Sequence, residues 1–377
     1  MFDRLCRKGG GLHPAGLRIS SGRDVAPTEA RCVRRGGSGF RYPLRVRNTG
    51  SIASGCLLMN VCMFTNTYRP HVGGVARSVS TFSEDLQRQG HRVLIVAPTF
   101  PMDEEEERSE EDTLRVPAIQ NFNGSDFSVR IALPFLLDEK IDAFAPEVIH
   151  SHHPFLLGDA GLRAARKRNL PLVFTHHTLY ERYTHYVPLD SEAMKRFVIR
   201  LATEYANLCT KVIAPSRSIG RLIQSRGVTA PIEVVPTGVD VSFFKKGRAG
   251  QFRREHDIPE QSPVVGHVGR LAPEKNLGYL AESMAVFLRE RDEARFVVIG
   301  GGPSSREIAQ ILEARGVKEN LILAGRKTGR HLADAYHAMD VFVFASQTET
   351  QGLVVAEAMA SGTPVIALDA SGVRDVV

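Results

Sequence analysis

Glu349 and Glu357 stand eight positions apart in TETQGLVVAEAMA, the first on a turn and the second inside the helix that the turn leads into. At about 1.5 Å per helical residue, their carboxylates lie up to roughly 12 Å apart along the axis. Glycoside hydrolysis needs a pair about 5–9.5 Å apart, so this pair does not suit it. The spacing suits an extended ligand with hydroxyls at both ends, its phosphates facing the backbone amides of Gln351, Gly352 and Leu353. A sugar nucleotide has that layout. The plainer alternative is a solvated Glu357 beside an ordinary turn acid.

Other polar residues collect where apolar runs end. In GRLAPEKN, Arg270 and Lys275 follow one such run and precede a helix. A guanidinium fork, an ammonium and a helix N-terminus together suit a diphosphate. In HVGG, Gly73 and Gly74 open another helix, where a ligand can approach the backbone closely, although a tight turn explains two glycines equally well. Histidines crowd two further ends: His150, His152 and His153 in HSHH, then His176 and His177 in FTHHT, with His185 nearby. A metal site is the weaker reading because no carboxylate or Cys lies close in sequence. A positioned imidazole that donates a hydrogen bond or shuttles a proton is the stronger one. GGGP at Gly300–Pro303 lacks the dinucleotide fingerprint, and no P-loop motif occurs.

The elements that must hold these residues alternate. From Met59 onward, short apolar runs such as NVCMF, HRVLIVAP and EVIHS are separated by segments with helical periodicity, of which Val75, Val79, Phe82 and Leu86 are one. Strands that are apolar throughout belong to a parallel sheet covered on both faces. Two such series in 377 residues predict two doubly wound α/β domains, with ligand between them at the carboxyl ends of the strands.

Composition is that of an ordinary globular chain. The net charge of +6 is local: residues 1–58 hold eleven Lys/Arg against three Asp/Glu, and the remainder is slightly acidic. Nucleic-acid binding is therefore not expected. The leader shows no helix or strand periodicity and reads as a flexible tail, an Arg-rich targeting peptide or sequence upstream of a start at Met59. Met102–Asp112 is an acidic block expected in a surface loop. Five scattered cysteines, with no Cys-x-x-Cys, fit a reducing cytoplasm. No apolar run reaches the roughly 18 residues of a membrane span.

These motifs resemble those of the retaining family 4 glycosyltransferases. TETQGLVVAEAMASGTPVIA is similar to that family's E-x7-E signature, and GHVGRLAPEKN, VVPTGVD, VIGGGP and YRPHVGGVARSV match in order from Met59 to Val377. The resemblance implies a GT-B fold, two Rossmann-like domains facing across a cleft. It implies a leader over 1–58, an acceptor-side domain over 59–240, a linker over 241–262 and a nucleotide-sugar domain over 263–377 that stops short of the family's usual end.

By position, it implies that Glu349 meets the donor sugar, Glu357 the ribose, Arg270 and Lys275 the diphosphate, with Gly73 and Gly74 closing from the other domain. His177 takes the place of the active-site histidine, with His176 the competing assignment. The family works without a metal or cofactor, on UDP- or GDP-sugars, and no Asp-x-Asp occurs here. HSHHPFLLG and THHTLYERYTHYVP are most similar to the branch acting on diacylglycerol and related lipids, which implies a lipid or glycan acceptor. Met194–Tyr205 reads either as a basic amphipathic helix touching the inner face of the membrane or as a helix packing Phe197, Leu201 and Tyr205 inward. Two rivals remain open: a non-hydrolysing sugar-nucleotide epimerase of the same architecture, and a non-catalytic sugar-nucleotide-binding protein.

Overall fold

A computed structural model of the chain describes residues 17–20, 58–71, 73–99, 112–119, 129–130, 134–186 and 191–377. The acidic block from Met102 to Glu111 lies outside the described residues. So do the expectations for the leader, apart from Leu17–Ser20 and Leu58.

After β1 (Leu17–Ser20), the first series runs β2 (Asn60–Phe64), α1 (Gly74–Arg88), β3 (Arg92–Pro98), β4 (Thr113–Val116), β5 (Ala118–Ile119), β6 (Val129–Arg130), α2 (Pro134–Phe144), β7 (Val148–Ser151), α3 (Leu157–Arg168), β8 (Leu172–Thr175), α4 (Glu192–Asn207), β9 (Lys211–Ala214), α5 (Arg217–Ser225) and β10 (Ile232–Val234). The second runs α6 (Val241–Phe244), α7 (Ala249–Glu255), β11 (Val264–Val268), α8 (Leu277–Glu290), β12 (Arg295–Ile299), α9 (Ser305–Ala314), β13 (Leu321–Gly325), α10 (Gly329–Ala338), β14 (Val341–Phe344), α11 (Leu353–Ala360) and β15 (Val365–Leu368).

Seven strands form a wholly parallel sheet in the order β10-β9-β8-β7-β2-β3-β4. Along β2, Cys62 and Phe64 point into one apolar cluster with Ile149 and Phe174, while Val61 and Met63 point into another with Val79 and Ile95. Both faces are covered, which is why the strand is apolar at nearly every position. The second sheet repeats the design in the order β1-β15-β14-β11-β12-β13. There Val264 and Val268 face one cluster, Val265 the other.

Both sheets reverse direction of winding, between β2 and β7 in one and between β11 and β14 in the other. A doubly wound sheet leaves a crevice at such a switch, where the helices on either side diverge. The loops after these four strands carry most of the residues discussed below.

Two expectations need correction. The sequence predicts a leader without regular structure, yet Leu17–Ser20 pairs antiparallel with β15, Leu17 opposite Leu368 and Ser20 opposite Val365. Four residues are too few to register as a strand pattern, whereas β15 would otherwise present an open sheet edge that another strand can pair with. Residues 241–262, expected to link the two halves, instead form α6 and α7, and Phe244, Phe252 and Ile258 are buried in the second core.

Candidate functional site

A cleft of about 1920 Å³ lies between the two sheets, lined by Gly73, Gly74, Arg77, His177, Arg270, Lys275, Glu349, Gln351, Gly352, Leu353 and Glu357 among others. It exceeds the roughly 300–1,000 Å³ of a compact small-molecule pocket, as an elongated ligand requires. The candidate catalytic and donor-binding residues expected from the sequence all line this one surface.

The turn between β14 and α11 presents Glu349. Gly352 caps α11 with φ of +79°, a left-handed conformation that costs an L side chain energy. Gly372 (φ +79°) passes beneath the same turn, where a Cβ would stand 2.5 Å from the Glu349 carbonyl oxygen. Across from it, Lys275 donates to Glu349 Oε1 at 2.6 Å, and Ser346 Oγ donates to the same oxygen at 3.0 Å. Burial, the largest single influence, would raise the Glu349 carboxyl, but Lys275, Ser346 and His267 together outweigh it and the group sits below the usual carboxylate range. Burial likewise opposes the Lys275 ammonium, yet Glu349 makes it hold its proton more tightly than usual. Arg270 donates to Glu274 Oε1 at 2.6 Å.

Glu357 is 2% exposed, on the inner face of α11. Arg77, in the first turn of α1 after Gly73 and Gly74, pairs with its Oε1 at 3.1 Å, and Tyr336 donates to its Oε2 at 3.0 Å. The Arg77 guanidinium also lies 5.6 Å from the centre of the Phe244 ring. Burial raises the Glu357 carboxyl, and Arg77 only partly offsets this.

Gln351 does not aim its side chain at the cleft: Oε1 accepts from Thr237 N at 2.8 Å and Nε2 donates to Thr237 O at 2.7 Å, fastening the turn to the other half. Thr350 Oγ1 donates to the His177 carbonyl at 2.8 Å, and Ser216 Oγ donates to the Thr350 carbonyl at 2.7 Å. The loop carrying Glu349 and the loop carrying His177 are thus tied directly together.

His177 lines the cleft, whereas its neighbour His176 turns away and packs edge-on against Phe174 and Tyr180. His150, His152, His153, His176 and His177 are all buried, and burial pushes each imidazole below its ordinary value, to about 4 for His150 and His176 and about 3 for His153. Among the described residues no group of three or more His, Cys, Asp or Glu is arranged to hold a metal ion.

Residues 72–243 match the model of Glycosyltransferase Family 4, and residues 249–377 match that of Glycosyl transferases group 1. The chain is a family 4 glycosyltransferase. The glycosyltransferase is 31% identical to alpha-monoglucosyldiacylglycerol synthase of Streptococcus pneumoniae, over 82% of this chain and 71% of that protein. It is also 31% identical to the GDP-mannose-dependent alpha-mannosyltransferase of Mycobacterium tuberculosis, over 85% of this chain and 81% of the other. Its two-domain GT-B fold is shared with Anabaena HepE solved with UDP and glucose (TM-score 0.66, 19% identity, covering 85% and 83% of the two chains). Sucrose-phosphate synthase of Thermosynechococcus elongatus is similarly alike (TM-score 0.67, 22% identity, 84% and 82%).

Arg77, Tyr336, Thr237 and Thr350 escaped the sequence reading of this glycosyltransferase. Arg77 lies three residues past a glycine pair, a legible hint of a helix N-terminus with a cation in reach; the others carry no signal apart from the fold.

Proposed function

We propose that this glycosyltransferase moves a hexose from a nucleoside diphosphate sugar to the hydroxyl of a diacylglycerol-like lipid, with retention at the anomeric carbon and without a metal. The observation that carries this is the convergence of Glu349, Glu357, Lys275, Arg270 and His177 on one cleft at the switch points of two sheets. The names of relatives that make monoglucosyldiacylglycerol support the choice of a lipid acceptor.

Donor sugar hydroxyls are accepted by Glu349 and the ribose hydroxyls by Glu357. Lys275, Arg270 and the amides that open α11 take the diphosphate, while the N-terminus of α1 at Gly73 and Gly74 closes over it. Charge builds on the diphosphate as its bond to the anomeric carbon breaks, and fixed cations stabilise that charge at little reorganisation cost. The acceptor oxygen bonds to the same face of that carbon, and its proton passes to the departing diphosphate. Lys275 and Ser346 both bond to Glu349 Oε1 and fix the carboxylate in place, which suits it to positioning the sugar.

The lipid reading is supported by α4. Tyr205 is buried, but Phe197, Leu201 and Leu208 are 60%, 38% and 51% exposed along one stripe, flanked by the exposed Arg196 and Arg200. An apolar stripe beside cations suits an anionic bilayer surface. Among the described residues no helix is long and apolar enough to cross a membrane.

The test is nucleotide release from UDP- and GDP-sugars with and without diacylglycerol in anionic vesicles. Release that needs the lipid, vanishes in Glu349→Gln and yields an α-linked product from an α-linked donor supports the proposal. Conversion of donor into an epimer without any acceptor overturns it in favour of an epimerase. Phe197→Ser with Leu201→Ser is expected to weaken vesicle binding while leaving donor binding intact.

A further inference from the structure

Behind His177 stands an imidazole that the proposed transfer does not touch. His152, just past the end of β7, is fully buried. Its Nδ1 lies 2.9 Å from His177 Nε2, with the two rings inclined by only 18°. Its other nitrogen, Nε2, is buried and meets no hydrogen-bond partner. The ring of His150 lies close by, its centre 4.1 Å away, but His150 Nε2 is engaged with Thr175 Oγ1 at 2.7 Å. Phe82 covers His152 on an apolar side.

A bond between two imidazoles needs one N–H and one lone pair. Burial and the neighbouring imidazoles disfavour a cation at either ring, so each is neutral and carries a single proton. Two arrangements then meet the 2.9 Å contact. If His177 Nε2–H donates, the His152 proton must sit on Nε2, where it finds no acceptor. If His152 Nδ1–H donates, the orphaned Nε2 is only a lone pair, and the His177 proton must sit on Nδ1. Leaving a buried donor unpaired is costly, and orphaned buried N–H groups are rarer than under-used acceptors. The second arrangement is favoured.

We infer that His152 is a positioning residue that holds His177 as its Nδ1–H tautomer, so that the imidazole lining the cleft offers substrate a hydrogen-bond donor and not a base. This rests on the proposed role of His177 in sugar transfer. It adds that His177 stabilises an oxygen of the substrate, sugar hydroxyl or leaving phosphate, and does not collect the acceptor proton. The proton then stays with the acceptor until the diphosphate takes it.

Long-range 1H–15N spectra of histidine-labelled full chain, with no donor added, read the tautomer directly. We expect a protonated Nδ1 and a bare Nε2 at His177, and a shift of that pattern toward a mixture in His152→Leu. His152→Asn, whose side-chain amide can reach the position of Nδ1, should restore the tautomer. Turnover should follow: kcat down about 10- to 100-fold in His152→Leu, the order lost when the partner that orients an imidazole is removed, donor KM within about threefold, and most of kcat regained in His152→Asn. Protonated Nε2 at His177 in the natural protein overturns the inference, as does a His152→Leu variant with unchanged spectrum and kcat. If His152→Leu does not fold, the natural protein's spectrum and the His152→Asn kinetics still decide. Absence of transfer with every donor, alongside a protonated Nδ1, would sink the proposed reaction and leave this assignment standing.

Discussion

Lys275 Nζ lies 2.6 Å from Glu349 Oε1, joining the loop after β11 to the turn after β14. Both side chains are mostly buried, 14% and 18% exposed, so each is the other's principal counter-ion. Lys275→Met strands the Glu349 carboxylate. Removing one partner of a buried pair typically costs several kcal/mol, and about 3 kcal/mol is expected here. Urea unfolding measures it. The double variant Lys275→Met/Glu349→Gln should recover much of that stability while remaining inactive, because the stranded charge is gone but the donor contacts are too.

Arg77 reaches across the cleft to Glu357, the carboxylate assigned to the ribose. A ribose that takes Glu357 must therefore displace, or share with, a guanidinium that is 42% exposed. Such a half-exposed pair is worth about 1 kcal/mol. Arg77→Ala is expected to tighten donor binding about fivefold at pH 8, by titration calorimetry. Weaker binding would mean that Arg77 itself holds the donor.

With Glu357 taking the ribose as proposed, its titration sets an acid limit on donor binding. Burial raises its carboxyl above the ordinary value of 4.5, and the ionised form is the one that accepts hydroxyls. As pH falls through the raised value, donor affinity should fall by up to about tenfold per pH unit. Arg77→Ala and Tyr336→Phe each remove an interaction that favours the anion, so in both the limb moves to higher pH. For stability the sign is opposite: a raised folded value contributes below the unfolded value near 4.5 and is lost as pH rises through the folded one.

The buried histidines predict acid sensitivity. His150, His152, His153, His176 and His177 all protonate less readily in the fold than the ordinary 6.5. Between 6.5 and about 4 the unfolded chain binds more protons, so stability rises with pH and is lost as pH falls through that window. Urea midpoints at about pH 7.5 and 5 should differ strongly, with uptake of several protons on unfolding. Replacing His150 by Gln should reduce the slope by about one proton.

Two glycines with nearly the same backbone angle separate strain from crowding. At Gly362 (φ +82°) a methyl group would meet nothing within 4 Å, whereas at Gly372 it would stand 2.5 Å from the Glu349 carbonyl oxygen. Gly362→Ala should cost only the conformational term, about 1 kcal/mol. Gly372→Ala should cost more, read by urea unfolding, and also raise donor KM, since the turn that carries Glu349 must move.

What was legible in the sequence was whatever local chemistry dictates. Strand β2 is apolar at nearly every position because both faces are covered, and that pattern predicts a parallel sheet without any tertiary knowledge. Glu349, Lys275 and Gly352 sit in a turn, before a helix and at a cap, where residue type and position carry the signal. Tyr336 was illegible, and Arg77 legible only as a cation near a helix N-terminus, because their role is a meeting across the chain: the partner of Arg77 emerges only when α11 is brought opposite it. The pairing of Leu17–Ser20 with β15 was hidden for the same reason, since four residues acquire meaning only from the edge they cover. Phe197 and Leu201 form a pattern that fits either an inward or an outward face, and only the neighbouring elements decide between them.

The matched ion pairs of the cleft have a bearing on selectivity in a crowded solution. Lys275 is held by Glu349, Arg270 by Glu274 and Glu357 by Arg77, so each charge already has its complement. Inorganic phosphate offers Lys275 and Arg270 a new partner but leaves Glu349 and the buried Glu274 stranded; a free sugar offers Glu349 hydroxyls and leaves Lys275 stranded. A molecule that brings phosphates and hydroxyls together at the right separation can open the Lys275–Glu349 pair while giving each charge a new partner. Under the proposed assignments this pair is a two-key lock, in which abundant metabolites carrying one key alone gain little by entering.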